Sequence, residues 1–529
     1  MDRSTRRSLP IALAAVLFML MSGLPAAASP VRFAVVIGNS DYNGDGRLDP
    51  VAPAGPSDSA PIYAPDLPGA HRDAQAVRAA LARLGFEVFY KENADAADLK
   101  AAMAAFNATA ATAGPGARLI FYFSGHSVQI EEQQYLIPVR TLVPTKPGLG
   151  GNDRFSYMDL DRLTRGLVSI LGLKPPDVSD DLTLVLLDAC RTNPWPGLAD
   201  RGWRADAATD PELRSDLGFL TAVGDGFPGR PDSTVLMLAA APGHPAADLG
   251  DSVSPFTTAV LAELGQPISV RALTQAVGRS VLRATGGRQR PYAYQRAFDD
   301  RCLSVCTPGR GDWLPAPSSG LSLASRRAVA ESYAAADAAL RQARLAAGIA
   351  AGVRTDAAQP WVGAAEQIPG RVAPSVGYLA DEDEEAFRQY FRGQIRDGRP
   401  DGLGVYTGEC VTVFRSRCPL SKVRVFTGSF VAGAPGGPGV FLDARTGEQS
   451  IGRFAGPDMI EGRGFAPQLE LGVTFMPNGD MSAGRMRDGR VAAGVVWRNY
   501  GGVADEGPAP EPGRPAAAVR TPGAPDSMP

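Results

Sequence analysis

Apolar runs and amphipathic stretches alternate along the first half of the chain. The runs are bounded by Gly or polar residues, as in strands buried on both faces of a parallel sheet. They are Val31–Gly38, Phe86–Tyr90, Leu119–Phe123, Leu182–Leu187 and Thr234–Ala241. Between them, apolar residues at helical spacing predict helices over Ala70–Leu84, Ala96–Ala113, Asp159–Leu173, Pro255–Glu263 and Val270–Ala284. Strands that alternate with helices predict an α/β domain whose mainly parallel sheet is covered by helices.

The composition divides the whole chain into intervals. They are 1–28 for an N-terminal leader, 29–307 for the α/β domain, 308–380 for a linker, 381–500 for a Gly-rich region and 501–529 for a tail. The linker holds an Ala-rich stretch with scattered Arg, at about residues 324–351, which predicts one long exposed helix. The tail is rich in Pro, Ala and Gly, as disordered segments are.

Glycine and aromatic residues recur in a fixed order in the Gly-rich region. The two clearest copies are Phe391-Arg-Gly393 with Gly402-Leu-Gly404, and Phe426-Thr-Gly428 with Gly437-Pro-Gly439; looser copies begin at Gly452 and Gly484. An aromatic-x-Gly strand, a Gly turn and a Gly-x-Gly strand predict a stacked array of β-hairpins.

The leader has the layout of a secretory signal peptide. Arg3, Arg6 and Arg7 precede the apolar run Ile11–Met21, and Ala26–Ala28 supplies small residues for cleavage. The apolar run is too short for a comfortable membrane span. We therefore expect export, to the periplasm or out of the cell. The net charge of −3, with no basic stripe, gives no support for a nucleic-acid partner.

An exported chain with five cysteines has an odd number of thiols. Cys302 and Cys306 are close in sequence, as are Cys410 and Cys418, and either pair could form a disulfide in an oxidising compartment. Four cysteines allow three connectivities, so local pairing is only a preference. The remaining thiol, Cys190, is a candidate for a reactive group.

Candidate chemistry follows two of the predicted strands. His126 comes after Leu119–Phe123, and Cys190 comes after Leu182–Leu187. Taken alone, a free Cys is usually a small buried hydrophobe and a lone His is more often structural. The carboxyl ends of neighbouring parallel strands lie side by side, so an imidazole there can activate a thiol. Together the two residues favour a catalytic pair.

The segments around both residues resemble the two catalytic signatures of the caspase-like peptidases, and most of all those of the bacterial metacaspase relatives called orthocaspases. The signatures are Phe121-Tyr-Phe-Ser-Gly125-His126-Ser-Val-Gln129 and Leu186-Leu-Asp188-Ala-Cys190-Arg191. Further segments match in order and spacing, namely Ala34–Asn39, Arg72–Ala74, Ala239–Gly243 and Ser254–Thr257. The resemblance covers about Val31 to Cys306 and implies a caspase–haemoglobinase fold.

The resemblance also implies a His/Cys dyad without an essential third member. His126 is then the general base and acid, and Cys190 is the nucleophile that forms a thioacyl intermediate. The backbone N–H groups of Gly125 and Cys190 form the oxyanion hole. Ser127 stands where the family usually has Gly, and we expect its small side chain to be tolerated. The loop Asp41–Pro68 is longer than the family leads one to expect and could be a lid, a cleavage site or a disordered segment.

In metacaspase-like enzymes, an Asp two residues before the nucleophile forms an acidic pocket with the Asp of the first-helix motif. The matching residues here are Asp188 and Asp73, and the resemblance adds Ser254 to the same substrate site. Such a pocket favours a basic group by charge-assisted pairing, so we predict cleavage after Arg or Lys. Two alternatives stay open: Asp188 braces its loop, and Asp73 only favours the helix dipole.

The dyad needs no cofactor, and calcium is the only ion that the sequence suggests. Asp41, Asn43 and Asp45 alternate as in the first half of an EF-hand loop, and Asp49 is at the ninth position. Ala52, at the twelfth, lacks the bidentate carboxylate that such loops need. The alternative is a plain turn.

The sequence therefore predicts an exported cysteine endopeptidase acting on proteins or peptides. Self-processing could use Arg-rich segments such as Arg201–Arg204 or Arg326-Arg327. The alternative is a catalytically silent caspase-like scaffold that binds protein or lipid partners through its C-terminal region. That region resembles membrane-occupation-and-recognition-nexus (MORN) repeats, but a structural or self-associating β-meander is an equal interpretation. The absence of a basic face argues against anionic lipids.

Overall fold

The computed structural model describes residues 30–48, 63–130, 133–141, 168–169, 173–174, 176, 181–189, 234–241, 244, 246–247, 252–295, 301–304, 314–315, 321–352, 362–365, 377–378, 386–396, 399–411, 424–443, 447–456, 467–487, 489–498, 500 and 503–507. The expected leader and Cys190 lie outside these residues.

Nine strands and four helices are described in the first part of the chain. The strands are β1 (Arg32–Gly38), β2 (Glu87–Glu92), β3 (Arg118–Gly125), β4 (Ser127–Ile130), β5 (Gln133–Leu136), β6 (Val168–Ser169), β7 (Leu182–Ala189), β8 (Thr234–Leu238) and β9 (Tyr292–Gln295). The helices are α1 (Ala70–Arg83), α2 (Ala96–Thr112), α3 (Pro255–Glu263) and α4 (Val270–Ala284). The predicted apolar strands are confirmed, and β9 is an element that the apolar pattern missed.

Six of these strands form one sheet in the order β2-β1-β3-β7-β8-β9. Neighbours are parallel except β9, which is antiparallel to β8. Both faces of β7 are buried because the residues alternate between two cores. Val185 and Leu187 join the core with α2, whereas Leu184 and Leu186 join the core with α1, α3 and α4. The expected parallel sheet covered by helices is therefore what the structure contains.

One helix prediction is wrong within the described residues. Val168 and Ser169, expected inside a helix over Asp159–Leu173, form β6 and pair with Tyr135 and Leu136 of β5. Val168 and Leu173 are buried. Apolar residues that are buried for this reason have a spacing in the sequence that a helix would also show.

The second part of the chain is a long antiparallel sheet with one helix against it. The helix α5 is Leu323–Gly352; the strands are β10 (Val362–Ala365), β11 (Gly377–Tyr378), β12 (Ala386–Arg396), β13 (Arg399–Val411), β14 (Arg424–Val431), β15 (Ala434–Asp443), β16 (Glu448–Ala455), β17 (Gln468–Phe475), β18 (Met481–Arg487), β19 (Arg490–Arg498) and β20 (Val503–Gly507). All eleven strands belong to one sheet, in which β11 pairs with β12 off the main path. Among the described helices, none is long and apolar enough to cross a membrane.

This sheet extends past the interval 381–500 at both ends. Val362–Ala365 and Gly377–Tyr378 pair with β12, although the composition assigned them to a linker. Val503–Gly507 pairs with β19, so the prediction of disorder is wrong for these residues. The pairing gives their backbone groups partners that composition alone does not reveal.

Glycines face one another across neighbouring strands of this sheet. The residues in register are Gly393, Gly404, Gly428, Gly439, Gly452, Gly472, Gly484, Gly494 and Gly507. A Cβ on Gly452 would lie 2.2 Å from the Leu471 carbonyl oxygen, and one on Gly484 would lie 2.1 Å from the Ala493 oxygen. Side chains at these two positions would therefore collide with the adjacent strand.

The expectation that the Ala-rich helix is exposed is wrong. Ala336, Ala339 and Ala343 of α5 are buried, and they pack in one core with Ile451 and Val473 of the sheet. Small side chains allow the helix to lie close to the strands. An Ala-rich composition alone did not show which face of the helix has a partner.

The C-terminal sheet packs against α4 and β9 of the first part. Tyr500 is fully buried there, and its ring contacts Gly278 of α4 closely. Arg271 of α4 donates to the Gln449 side chain at 2.5 Å, and its guanidinium lies 4.5 Å from the ring centroid of Phe475. The two parts of the chain thus share a buried interface.

Candidate active site

Buried polar side chains from β3, β7, α1 and the start of α3 meet at the carboxyl end of the parallel sheet. Ser124 lies opposite Asp188 in the register of β3 and β7. Asp73 of α1 accepts the hydroxyl of Ser124, with 3.0 Å between the oxygens, and the backbone N–H of Ser254 at 2.8 Å. Ser254 donates its own hydroxyl to Asp188. The structure thus brings together Asp73, Asp188 and Ser254, the residues that the sequence assigned to the substrate site.

Alternation along the strands explains this meeting. Tyr122 and Leu186 face the core that contains α1 and α3. Side chains two residues further along each strand face the same side, and these are Ser124 and Asp188. Apolar packing of the strands therefore directs their polar last residues toward the two helices.

Ser254 has a local reason to be where it is. It is the N-cap of α3, and its hydroxyl oxygen accepts the backbone N–H of Thr257 at 2.9 Å. Pro255 follows at the first helical position, where no N–H is needed. Since the cap uses the oxygen as an acceptor, the hydroxyl proton can point to Asp188.

Thr257 gives Asp188 a second hydroxyl donor. Its Oγ1 is 2.6 Å from Asp188 Oδ2, and the phenol oxygen of Tyr122 is 2.5 Å from the same Oγ1. A carboxylate only accepts, so Thr257 donates to Asp188 and accepts from Tyr122. Burial raises the pKa of Tyr122, and the charges of Asp188 and Asp73 raise it further. The phenol therefore stays protonated and continues to donate.

Four of the hydrogen bonds described above are donated to Asp73 or Asp188, by Ser124, by Thr257 and by the backbone and hydroxyl of Ser254. Such donors favour the ionised form of a carboxyl group. The N-terminus of α3 adds its positive dipole end beside Asp188. Two carboxyl groups with such donors at one buried site are suited to bind a cationic group.

His126 directly follows β3 and is held at its backbone and at its ring. Its backbone N–H donates to the Tyr42 hydroxyl at 2.5 Å. The Tyr42 and His126 rings are in contact, with centroids 4.6 Å apart and planes tilted by 53°. On the other side, His126 Nε2 is 2.7 Å from the carbonyl oxygen of Pro65. Both Tyr42 and Pro65 belong to the loop Asp41–Pro68.

The bond to Pro65 fixes the tautomer of His126. A carbonyl oxygen only accepts, so Nε2 carries the proton when the imidazole is neutral. Nδ1 is then the basic nitrogen. A backbone carbonyl thus orients the imidazole. That the dyad needs no essential third member stays a prediction.

Gly125 allows Tyr42 to approach the backbone of His126. A Cβ on Gly125 would lie 2.7 Å from the Tyr42 hydroxyl oxygen and 2.7 Å from Cζ of Phe123. Real Cβ atoms do not come so close to other heavy atoms. The glycine before the histidine is therefore required by space, independently of the proposed oxyanion role.

The register shows how β3 and β7 end. The two strands pair as far as Gly125 and Ala189. The residues that follow in the sequence are His126 and Cys190. Because Cys190 lies outside the described residues, the dyad and the oxyanion assignment to Gly125 and Cys190 stay predictions. Arg201–Arg204, a predicted self-processing segment, also lies outside them. Ser127, next to His126, is buried, and its hydroxyl accepts the Gln134 amide.

The candidate calcium segment forms successive turns. Asp41 accepts the backbone N–H of Gly44 at 2.7 Å and that of Gly46 at 2.9 Å. The Asn43 side chain accepts the backbone N–H of Asp45, and the Asp45 carboxylate accepts the backbone N–H of Arg47. Within the described residues, no group of three or more His, Cys, Asp or Glu side chains could hold a metal ion. Asp49 and Ala52 lie outside those residues, and calcium stays a prediction.

The cysteine predictions are met in part by described residues. Cys302 is disulfide-bonded. Its carbonyl accepts the Arg118 side chain at 2.6 Å, which ties it to the start of β3. Cys410 lies on β13, whereas Cys306 and Cys418 lie outside the described residues. The pairing of these four cysteines stays a prediction.

Sequence reasoning missed Tyr42, Pro65 and Tyr122. Tyr122 was taken as part of an apolar strand, and its hydroxyl was the only sign of a polar partner. Tyr42 and Pro65 lie in a loop whose length suggested a lid, a cleavage site or disorder. No spacing rule connects either of them to a histidine so far along the chain.

Comparison with family models agrees with this architecture. A family model described as the caspase domain matches residues 31–302. No curated protein matches the chain. Among solved structures, the crystal structure of protein GSU0716 from Geobacter sulfurreducens is similar over 53% of this chain and 100% of its own, with 15% identity and a TM-score of 0.32. Because the family model spans just over half of the residues, the chain belongs to the caspase domain family.

Proposed function

We propose that the protein is a cysteine endopeptidase in which Cys190 is the nucleophile and His126 is the general base and acid. Membership of the caspase domain family supports a cysteine peptidase that acts on protein substrates. The observation that carries the dyad is the setting of His126, one residue beyond the pair Gly125–Ala189, with its ring oriented by Pro65.

In the proposed reaction, the Cys190 sulfur attacks the carbonyl carbon of the scissile bond. His126 Nδ1 takes the thiol proton and passes it to the leaving amine, so that a thioacyl-enzyme forms and the amine departs. Water then attacks the thioester while His126 Nδ1 takes a proton from it; the acid product leaves, and His126 passes this second proton to the sulfur. The N–H groups of Gly125 and Cys190 stabilise the oxyanion in both steps.

The proposed specificity is for Arg or Lys at the residue before the cleaved bond. Asp73 and Asp188 are buried side by side and accept hydrogen bonds from Ser124, Ser254 and Thr257. A guanidinium or ammonium group pairs with such carboxylates by charge-assisted hydrogen bonds. A substrate Asp would add a third negative charge at the same place.

The test uses the purified chain and its Cys190→Ala variant on matched peptides. The peptides differ only in the residue before the scissile bond, which is Arg, Lys, citrulline or Asp. Citrulline has the shape of Arg without its charge. The ratio of kcat/KM for the Arg and citrulline peptides therefore measures how much the charge of the acidic pocket contributes to specificity. We expect turnover after Arg and Lys and none in Cys190→Ala. Efficient cleavage after Asp with none after Arg would overturn the specificity.

The same experiment separates the alternatives. A chain that cleaves no peptide and stays intact favours a silent scaffold. If the parent fragments while Cys190→Ala stays whole, self-processing is the activity. Arg326-Arg327 is exposed on α5, so N-terminal sequencing of fragments decides whether this pair is used.

We further propose that the chain is of the metacaspase branch and is exported after cleavage of the leader near Ala28. The disulfide at Cys302 supports an oxidising compartment. Sequencing the N-terminus of the mature protein tests the leader. Calcium is proposed only as a modulator at Asp41, Asn43 and Asp45, and activity with and without a chelator tests it.

For the C-terminal sheet we propose a MORN-like repeat that contacts protein or lipid partners. The glycines in register from Gly393 to Gly507 support a repeated strand unit. Sedimentation of the full chain with neutral and anionic vesicles distinguishes a lipid from a protein partner. Binding to neither class of vesicle favours a protein partner.

A further inference from the structure

The loop Asp41–Pro68 was expected to be a lid, a cleavage site or a disordered segment. Both of its described ends instead meet at His126. Tyr42 contacts the backbone and ring of this residue, and Pro65 accepts a hydrogen bond from its Nε2. Because the described ends are ordered by these contacts, disorder does not apply to them.

The two ends of the loop are tied to each other as well. The backbone N–H of Tyr42 donates to the Asp66 carboxylate at 2.7 Å. Asp66 is the residue after Pro65, and it is buried. The N–H of Leu67 donates to the Ser40 carbonyl at 2.9 Å. A displacement of Tyr42 is therefore transmitted to the carbonyl that orients the imidazole.

Tyr42 is also anchored on the side away from His126. Its carbonyl accepts the backbone N–H of Arg140 at 2.8 Å. The side chain is almost completely buried, at 1% exposure. The phenol oxygen reaches the N–H of His126 only because Gly125 has no side chain. Anchoring, burial and close approach together restrict the position of the Tyr42 ring.

We propose that Tyr42 is a positioning residue for the catalytic His126, acting through its hydroxyl on the histidine backbone and through its ring on the imidazole. The inference rests on the proposed role of His126 as general base. It adds that the turn after β3 is held by the loop after β1 and not by β3 alone. Without the hydroxyl, the buried N–H of His126 loses its acceptor and the turn is free to relax.

The main variant is Tyr42→Phe in the full chain, which keeps the ring and removes the hydroxyl. A small misplacement of a reacting group can lower a rate on the order of a hundredfold, so we expect kcat to fall by about tenfold or more. KM should stay within about twofold, because the acidic pocket is unchanged. Tyr42→Leu, which also removes the ring contact, should lower kcat further.

Tyr63→Phe is the matched control from the same loop, since the hydroxyl of Tyr63 makes no hydrogen bond to another of the described residues. It should leave kcat unchanged. An equal loss of kcat in both Tyr→Phe variants would mean a general effect on the loop and would overturn the assignment to Tyr42. So would a Tyr42→Phe variant with the kcat of the parent.

A second readout needs no turnover. The chain has three histidines, so ¹⁵N-histidine labelling gives few ring resonances, and His126→Ala identifies those of His126. The parent should show a single Nε2-protonated tautomer, and Tyr42→Phe should shift or average it. If the parent cleaves no peptide, the proposed peptidase function fails, while these resonances still decide the role of Tyr42. Unchanged His126 resonances in Tyr42→Phe would overturn it.

Discussion

The hydroxyl of Thr257 donates a hydrogen bond to the carboxylate of Asp188, with 2.6 Å between the oxygens. The same hydroxyl accepts from Tyr122, so a buried phenol, an alcohol and a carboxylate form one directed chain. The first of these groups lies on β3, the second on α3 and the third on β7. The geometry of the proposed specificity site therefore depends on the position of the N-terminus of α3 relative to β3 and β7.

Thr257→Val tests this dependence. Valine has nearly the same shape, but it removes the donor to Asp188 and the acceptor for Tyr122. A hydrogen bond to a charged group contributes about 1.5–3 kcal/mol, so kcat/KM for the Arg peptide should fall by roughly tenfold or more. The citrulline peptide should be affected much less, and kinetics on the two peptides measure the difference.

The control for that variant is Thr258→Val, one position further along α3, where the side chain is exposed. It should leave both peptides unchanged. Equal losses on Arg and citrulline in Thr257→Val would indicate a general disturbance of the site and contradict a role in specificity.

Gly125→Ala tests the steric demand beside His126. The added methyl group would sit 2.7 Å from both the Tyr42 hydroxyl oxygen and Phe123 Cζ. Overpacking of this kind costs about 1–3 kcal/mol, and here it also displaces the imidazole. We expect a lower midpoint of thermal unfolding together with loss of peptidase activity.

Gly114→Ala is the companion variant, because nothing lies within 4 Å of a Cβ placed there. Combining Gly125→Ala with Tyr42→Phe removes one of the two close contacts. The double variant should therefore be destabilised by less than the sum of the single changes. Strict additivity in thermal unfolding would show that Tyr42 does not set the space at Gly125.

The sequence predicted the parallel sheet because its strands are buried on both faces and contain little but apolar residues. The resemblance to metacaspase-like enzymes also implied that Asp73, Asp188 and Ser254 share one site, through short motifs that match around each residue. The sequence could not predict Tyr42 or Pro65 beside His126, because those contacts join segments far apart in the sequence and carry no periodicity. The burial of α5 was missed for a similar reason: alanine fits a helix in water and a helix against a sheet equally well.

The raised pKa of Glu448 predicts how the free energy of unfolding changes with pH. Glu448 begins β16 opposite Asp443, and burial raises the pKa of its carboxyl, with a further increase from the charge of Asp443. The folded chain therefore holds this proton more tightly than the unfolded chain does. The resulting contribution to the free energy of unfolding is fully present below the ordinary Glu pKa and is lost as pH rises through the raised value.

Glu448→Gln removes that titration and keeps the acceptor for the Ser450 hydroxyl. We expect the variant to melt at a higher temperature than the parent at neutral pH, with the difference shrinking toward about pH 4. Glu87→Gln, at an exposed position of β2, serves as the control and should show no such pH-dependent gain. A parent more stable than Glu448→Gln at neutral pH would contradict the sign.

The interface between the two parts of the chain can be tested by making a Gly→Ala substitution in α4 and, for comparison, in α5. Alanine is favoured over glycine inside a helix by about 1 kcal/mol, so Gly→Ala stabilises a helix where there is space. Gly348 of α5 is exposed and nothing lies within 4 Å of a Cβ placed on it, whereas a Cβ on Gly278 of α4 would lie 2.4 Å from the Tyr500 ring. Gly348→Ala should therefore raise the unfolding midpoint and Gly278→Ala should lower it. Tyr500 links α4 to the C-terminal sheet, so Gly278→Ala should also split a single thermal transition into two. Melting curves in which both variants shift upward would mean that Tyr500 does not hold the two parts together.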